Sequence, residues 1–505
     1  MTVLPTFVQC LAAAVVAVVV SGLVVVYRLT LHPLAKFPGP ITWRATRLPW
    51  VRYTTSGYMW RKLEDLHQRH GPIVRIAPNE LSICSPQAWP DIYTSRPILP
   101  KEPSSQTPPL NGADSLFTAI GDDHRRIRGS LAAGFSDKAL REQSPLLEQW
   151  ASELIGRLRR ELTDTSVVDI HKYFGYAALD TITDLSYGGP LDGLAGRNEH
   201  SWMDRFFLHG RFSTFRMSLC WFYPLDKILD FIILSLTRRQ RAQNWAVFGG
   251  KILGRIAKGD MPDRVDLINS VVGKVADGVE HGSKGKGISR NELLSHSLAS
   301  VIANSQLTTS ALTTCIFYLL QHEQARQCLV DEIRNAFTSD EQITVQSTQP
   351  LVYLEAVIHE TLRVHHPTPI LLPRVVPPEG RVIDGTFIPG NTIVGVNLHV
   401  IATSPSFWVE SHAFRPERFL PPSDERYDAK FNQDVKAAYM PFSTGPRNCI
   451  GGKLFLAEAR VTLTKLLWNF DVVLADSNVN EWLDQAAYIV CEPKSLQVEL
   501  IDRRK

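Results

Sequence analysis

The sequence predicts one large, mainly α-helical domain with a small β region, set behind an apolar N-terminal segment. Three observations lead there. At 505 residues the chain is too long for a minimal domain, yet no long Pro-, Gly- or Ser-rich linker divides it. Residues 289–321 run without a single Pro or Gly behind a Ser289/Glu292 capping pattern, and residues 452–470 form a second helix-like run rich in Ala and Leu. Strand patterns are short by comparison and gather at residues 71–82 and 375–396.

The elements follow in chain order. Residues 10–27 are almost all Ala, Val, Leu and Gly, close to the roughly 20 apolar residues that cross a bilayer. A cleaved signal peptide would carry a basic region ahead of the apolar run, whereas here the cations Arg28, Lys36 and Arg44 follow it. The segment is therefore expected to be an uncleaved anchor with the following domain on the cytosolic side. Pro33, Pro38, Gly39 and Pro40 then forbid helix continuation and predict a stiff, extended connector. This divides the chain into an anchor (1–30), a proline-rich hinge (31–40) and a catalytic domain (41–505).

Composition excludes some classes. A net charge of +3, with no dense Lys/Arg tract among aromatics, argues against nucleic-acid binding. Seven cysteines, Cys10, Cys84, Cys220, Cys315, Cys328, Cys449 and Cys491, show no C-x-x-C pair, so no disulfides are expected.

Residues 71–82 read as a hairpin with a Pro78-Asn79 turn. Further on, His124 and Arg128 are four apart and share a helix face, while Arg125 and Arg126 read as a solvated basic face. Residues 206–236 hold Phe206, Phe207, Trp221, Phe222, Tyr223 and Phe231, too many aromatics for a wet loop. The segment is either core or a part of the surface that enters a membrane interface. The Gly/Lys/Ser stretch at 282–287 reads as a connecting loop. Pro350 opens a helix on which Glu360 and Arg363 face the same way, and Pro389-Gly390 marks a turn within the strand-rich 375–396 run.

The chemistry gathers at residues 442–451, Phe442-Ser443-Thr444-Gly445-Pro446-Arg447-Asn448-Cys449-Ile450-Gly451. A cysteine just ahead of a helix start lies in a positive local field that favours its thiolate. Gly445 and Gly451 would permit a left-handed backbone and close approach to something flat, and Arg447 offers a fixed cation to a carboxylate. A flat iron-centred ligand with acidic edges fits these features. The plain alternative is a buried structural cysteine in a glycine-rich turn.

The stretch resembles, position for position, the F-x-x-G-x-R-x-C-x-G signature of the cytochrome P450 family. The resemblance extends over the whole chain and is nearest in style to membrane-bound fungal members of secondary metabolism. It implies a haem-thiolate fold, with a long central helix crossing the haem opposite the cysteine loop. Cys449 becomes the axial iron ligand, whose electron donation favours O–O cleavage. His124 and Arg128 stand where the family has W-x-x-x-R reaching a haem propionate, with His in place of Trp, and Arg374 stands at a second propionate position. Phe414-Arg415-Pro416-Glu417-Arg418-Phe419 matches the family's PERF segment. That makes Glu360, Arg363 and Arg418 a buried clasp for the cysteine loop.

The central helix departs from the family. Against A-G-x-E/D-T-T the chain has Ala303-Asn304-Ser305-Gln306-Leu307-Thr308. The acid has become Gln306, the alcohol Leu307, and one residue of slip turns a helix by about 100°, so Thr308 does not occupy the face of Leu307. The resemblance implies monooxygenation of a lipophilic small molecule (terpenoid, polyketide or indole type). Its electrons would come from a separate membrane-bound NADPH–cytochrome P450 reductase, at the endoplasmic reticulum, since no G-x-G-x-x-G fingerprint is present. Two alternatives stay open: a haem-dependent isomerase, dehydratase or coupling enzyme, and a haem-binding protein without turnover.

Overall fold

Helix α1 (Val3–Thr30) opens the computed structural model, which describes residues 3–105, 111–196, 201–258, 266–272, 287–476, 481–492 and 494–504. Its Leu11–Thr30 portion has a mean hydropathy of 2.3 over 20 residues, and none of it is buried in the protein. That is the length and composition of a membrane span. The hinge differs from the extended connector expected of it. Residues 31–37 turn back on the domain with Leu34 and Phe37 buried, and the buried Arg75 guanidinium donates to the carbonyls of Arg28 (2.9 Å), Leu34 (3.3 Å) and Pro78 (2.7 Å). Prolines stop the helix, but a buried cation in need of acceptors draws the chain down.

The 71–82 hairpin is present as β1 (Ile73–Ala77) and β2 (Glu80–Ile83), paired antiparallel. Helix α2 (Gly121–Leu131) carries His124 and Arg128, and α3 (Asp137–Glu161) follows. Strand β3 (Val167–Asp169) leads into α4 (Ile170–Tyr187), which is buried along nearly its whole length. The aromatic segment folds as α5 (Ser201–Leu219) and α6 (Leu225–Leu236). It is not core: Tyr223, Phe231 and Leu236 are 79%, 74% and 80% exposed, and Phe215, Ile228 and Ile232 also face outward. The side chains of Phe206 and Phe207 and residues 282–286 of the expected connecting loop lie outside what is described.

Helix α7 (Arg290–Gln321) is the long central helix, begun by the capping box: Glu292 N–H donates to Ser289 Oγ (3.3 Å) and Ser289 N–H to Glu292 Oε2 (2.8 Å). It packs into one hydrophobic core with α3, α4, α8 (Val352–Val364) and α9 (Gly452–Asn469). Strands β4 (Arg374–Val375), β5 (Arg381–Ile383), β6 (Thr386–Ile388) and β7 (Ile393–Gly395) fill the 375–396 region. The order β1-β2-β7-β4 makes one sheet, in which β2 and β7 run parallel, and β5–β6 is a separate hairpin. After α9, β9 (Gln497–Asp502) pairs on one side with β8 (Phe470–Leu474) and on the other with β3, closing a small sheet.

Candidate active site: a cysteine loop and a basic ring

The cysteine loop is bent by two left-handed residues, Ser443 (φ 58°) and Gly445 (φ 76°). Gly445 is required for a second reason, since a Cβ there would lie 2.1 Å from the Tyr93 carbonyl oxygen. Its close approach is thus to neighbouring backbone. Gly451 departs from expectation too: its φ is −89°, so no left-handed conformation needs it, and a Cβ would meet only Phe135 at 4.0 Å. Cys449 N–H donates to Phe442 C=O (2.9 Å), and the Phe442 ring backs the loop against Gly452 and Phe455.

Cys449 is exposed, and the six described cysteines are all free. The Gly451 and Gly452 N–H groups at the start of α9 hydrogen-bond to its sulfur, and Arg128 adds a positive field. Burial on the other sides still pushes the thiol up. The loop alone therefore does not make the free anion expected from the sequence. A metal cation held by Cys449 would supply the missing positive charge and favour the thiolate.

Around the loop stand five basic groups. His124 is buried on α2, and burial, reinforced by Arg447, Lys101, Arg128 and Arg374, pushes its imidazole down to about 3. Burial, with Arg447 and Arg374, takes the Lys101 ammonium down to about 7, and burial, with Arg374 and Arg128, takes Arg447 to about 10. Their hydrogen bonds go to backbone or amide oxygens: Arg447 to Ala119 C=O (3.1 Å), Lys101 to Phe117 C=O (2.9 Å), Arg374 to Pro373 C=O (2.9 Å) and Arg128 to Asn448 C=O and Oδ1 (2.8 and 2.6 Å). Among the described residues none of the five has an acidic partner. Four cations gathered without acidic partners fit a ligand bringing its own negative charges, as the acidic edges of a haem would. Lys101 was not anticipated. A backbone bridge to Arg374 places it there, and no local pattern marks it.

Glu360, Arg363 and Arg418 come together in the interior, joined by Asp434. Glu360 accepts from Arg363 through both oxygens (2.7 Å each) and from Arg418 Nε (3.2 Å), while Arg418 also pairs with Asp434 (2.7 Å). All four side chains have no exposure. Arg126 is a correction: it is not solvated but grips Glu292 at the start of α7 with two hydrogen bonds (2.6 and 2.9 Å). Arg125 does lie on the surface, paired with Asp122.

On α7 the positions partly open to solvent include Ser300, Ala303, Asn304 and Leu307, spaced as one helix face, while Ser305, Gln306 and Thr308 are buried beside them. Asn304 Oδ1 and Gln306 Nε2 are buried without a hydrogen-bond partner. An open cysteine, a basic ring and an open, partly unsatisfied helix face fit a large flat ligand with acidic edges.

A family model described as Cytochrome P450 matches residues 37–500. Similar proteins include versicolorin B desaturase stcL of Emericella nidulans, 35% identical over 95% of both chains. Averantin hydroxylase of Aspergillus parasiticus is 35% identical over 95% of this chain and 94% of its own. Cytochrome P450 monooxygenase atr2 of Stereocaulon alpinum is 34% identical over 94% and 92%.

Proposed function

The chain belongs to the cytochrome P450 family of haem-dependent oxidoreductases, and from that premise we propose that it monooxygenates a lipophilic secondary metabolite with Cys449 as the iron ligand. The observation that carries this reading is the exposed cysteine at a helix start inside five basic groups that have no acidic partner among the described residues. Haem, when bound, supplies oxygen activation with electrons from a redox partner. In this chain Arg128, Arg374, Arg447, Lys101 and His124 would hold its acidic edges. Phe442 and the α9 N–H groups set the cysteine, and Glu360, Arg363 and Arg418 hold the loop in place from behind. Gln306, Leu307 and Thr308 lie on the helix over the reacting side.

Members of this family draw electrons from a separate protein, and here we assign that role to a membrane-bound NADPH–cytochrome P450 reductase. The apolar α1, with the outward Tyr223, Phe231 and Leu236 of the α5–α6 region, supports attachment to the cytosolic side of the endoplasmic reticulum. Relatives that act on averantin and versicolorin B support an oxidised polyketide as the substrate.

The test is spectral and chemical. Ferrous protein with carbon monoxide should show the red-shifted Soret band of a thiolate ligand, and product should require both NADPH and O2. Deleting residues 1–30 should release the protein from membranes with its haem retained. The replacement of acid and alcohol by Gln306 and Leu307 favours a second reading, a haem-dependent isomerase, dehydratase or coupling enzyme. Product that persists without NADPH would decide for it.

A further inference from the structure

The first acid in the chain is Glu64, so every cation before it must look further along the sequence for a partner. Arg47 finds Glu80 (2.5 Å). Arg28, Lys36 and Arg44, gathered where α1 ends, have no acidic partner among the described residues, and neither has Arg75, which reaches the same corner from β1. Arg28 donates to Ala45 C=O (2.8 Å), and Arg44 to Leu29 C=O (3.2 Å) and Ala35 C=O (2.9 Å). Arg75 likewise donates only to carbonyls, and Arg44 Nε is buried with no hydrogen-bond partner.

Stapling the end of α1 to the domain accounts for part of this, since the last carbonyls of a helix attract cations. A helix C-terminus carries only about half a negative charge, however, against three guanidinium groups and an ammonium. The excess is felt locally: burial, with Arg44 and Arg28, takes the Arg75 guanidinium down to about 10, and burial, with Arg75 and Arg28, lowers the His32 imidazole. Orienting a membrane span needs cations on one side of it, but not gathered and half-buried around one another. The surroundings say which anion fits. The Leu11–Thr30 span sets this corner at the level of lipid headgroups. Tyr27, 47% exposed, meets the His32 ring edge-on at 5.7 Å, as an interfacial aromatic does. Leu31, Ile41 and Leu48, on the segments that carry the cations, are 76%, 68% and 59% exposed. A free anion has no use for such apolar side chains, whereas a lipid can lay its acyl chains along them.

We propose that Arg28, Lys36, Arg44 and Arg75 form a binding site for the phosphate of an anionic phospholipid, with Arg28, Lys36 and Arg44 meeting the headgroup and the buried Arg75 adding positive field behind them. This rests on the reading of α1 as a membrane span. The headgroup supplies the negative charge that the first 63 residues lack. Because Arg44 and Arg75 belong to the domain and Arg28 to α1, one bound lipid joins the span, the hinge and β1. The domain is then held to the membrane at a second point besides the span.

The experiment places the full-length, haem-loaded chain in bilayer nanodiscs of mixed phosphatidylserine and phosphatidylcholine and identifies the lipid that stays bound by native mass spectrometry. Phosphatidylserine should be retained in preference to phosphatidylcholine, and Arg28→Gln, Arg44→Gln and Lys36→Gln should each cut that preference by about fivefold. Retained haem shows that a variant is folded, and Lys36→Gln, which alters an exposed side chain, decides the matter if an arginine variant is not. Lys138→Gln, an exposed cation paired with Glu142 on α3, should change nothing. Equal retention of the two lipids overturns the proposal, as does a preference that survives Lys36→Gln or falls equally in Lys138→Gln. Inorganic phosphate that displaces the bound phosphatidylserine makes this a site for free phosphate and overturns the lipid assignment. Protein that stays outside the discs overturns the reading of α1 and the proposal with it.

Discussion

Two charged clusters in this protein are built on opposite rules. In the clasp, Glu360, Arg363, Arg418 and Asp434 have no exposure, and every charge meets its opposite within 3.2 Å. In the ring, burial and neighbouring cations push His124, Lys101 and Arg447 down, and Lys101, Arg128, Arg374 and Arg447 donate to uncharged oxygens. The clasp is complete as protein alone and serves structure. The ring is completed by something that is not protein, so an imbalance of buried charge marks the binding site where a balanced one marks the scaffold.

The largest effect concerns the cysteine beside the ring. Cys449→Ala should abolish the thiolate-type carbon monoxide spectrum altogether, whereas Cys315→Ala and Cys328→Ala, on helices away from the loop, should leave it unaltered. A spectrum that survives Cys449→Ala would move the ligand role elsewhere and dissolve the comparison.

Next comes the clasp. Glu360→Gln strands the Arg363 guanidinium in the interior and leaves Arg418 with Asp434 alone, and should destabilise the protein by roughly 3–5 kcal/mol in chemical denaturation. A change below about 1 kcal/mol would mean that the clasp is not the self-sufficient unit described.

A smaller effect with the opposite signature is expected in the ring. Arg374→Met removes a cation that has no acidic partner among the described residues, so haem-free protein should be no less stable, or more stable by about 1 kcal/mol. Haem should nonetheless dissociate about tenfold faster, one charge-assisted hydrogen bond being worth roughly 1.5–3 kcal/mol. Loss of stability without faster haem release would place Arg374 with the clasp instead.

The last effect is a pH dependence. Lys101 is held near 7 in the folded chain, by burial first and by Arg447 and Arg374 next, below the 10.5 of a free lysine. Between those values the unfolded chain binds the extra proton, so stability of haem-free protein should rise with pH from about 7 to about 10. Lys101→Met should flatten that rise. Haem should flatten it as well, because negative edges next to Lys101 restore its proton.

Local chemistry was legible in the sequence, and long-range chemistry only in part. The capping box at Ser289 and Glu292 and the E-x-x-R helix each depend on residues within one turn, and both form as read. The hairpin at 71–82 likewise needs only its own turn. Asp434 and Lys101 escaped because their partners arrive from distant chain by tertiary contact. Arg126 was misread for the same reason, as its partner lies 166 residues away. The conformation of Gly451 was misjudged because a glycine at a helix start has uses other than a positive φ.

The fork between Arg126 and Glu292 makes the start of α7 and the middle of α2 one rigid corner. Arg126 sits two residues from His124 and two from Arg128, so the joint that fixes the roof also fixes two members of the ring. The site is then framed like a box with a shared corner post. A ligand too bulky for the roof cannot be accommodated by lifting α7 alone, because the same displacement loosens the grip on the ligand's acidic edges. Size selection and anchoring become one mechanical property of the frame.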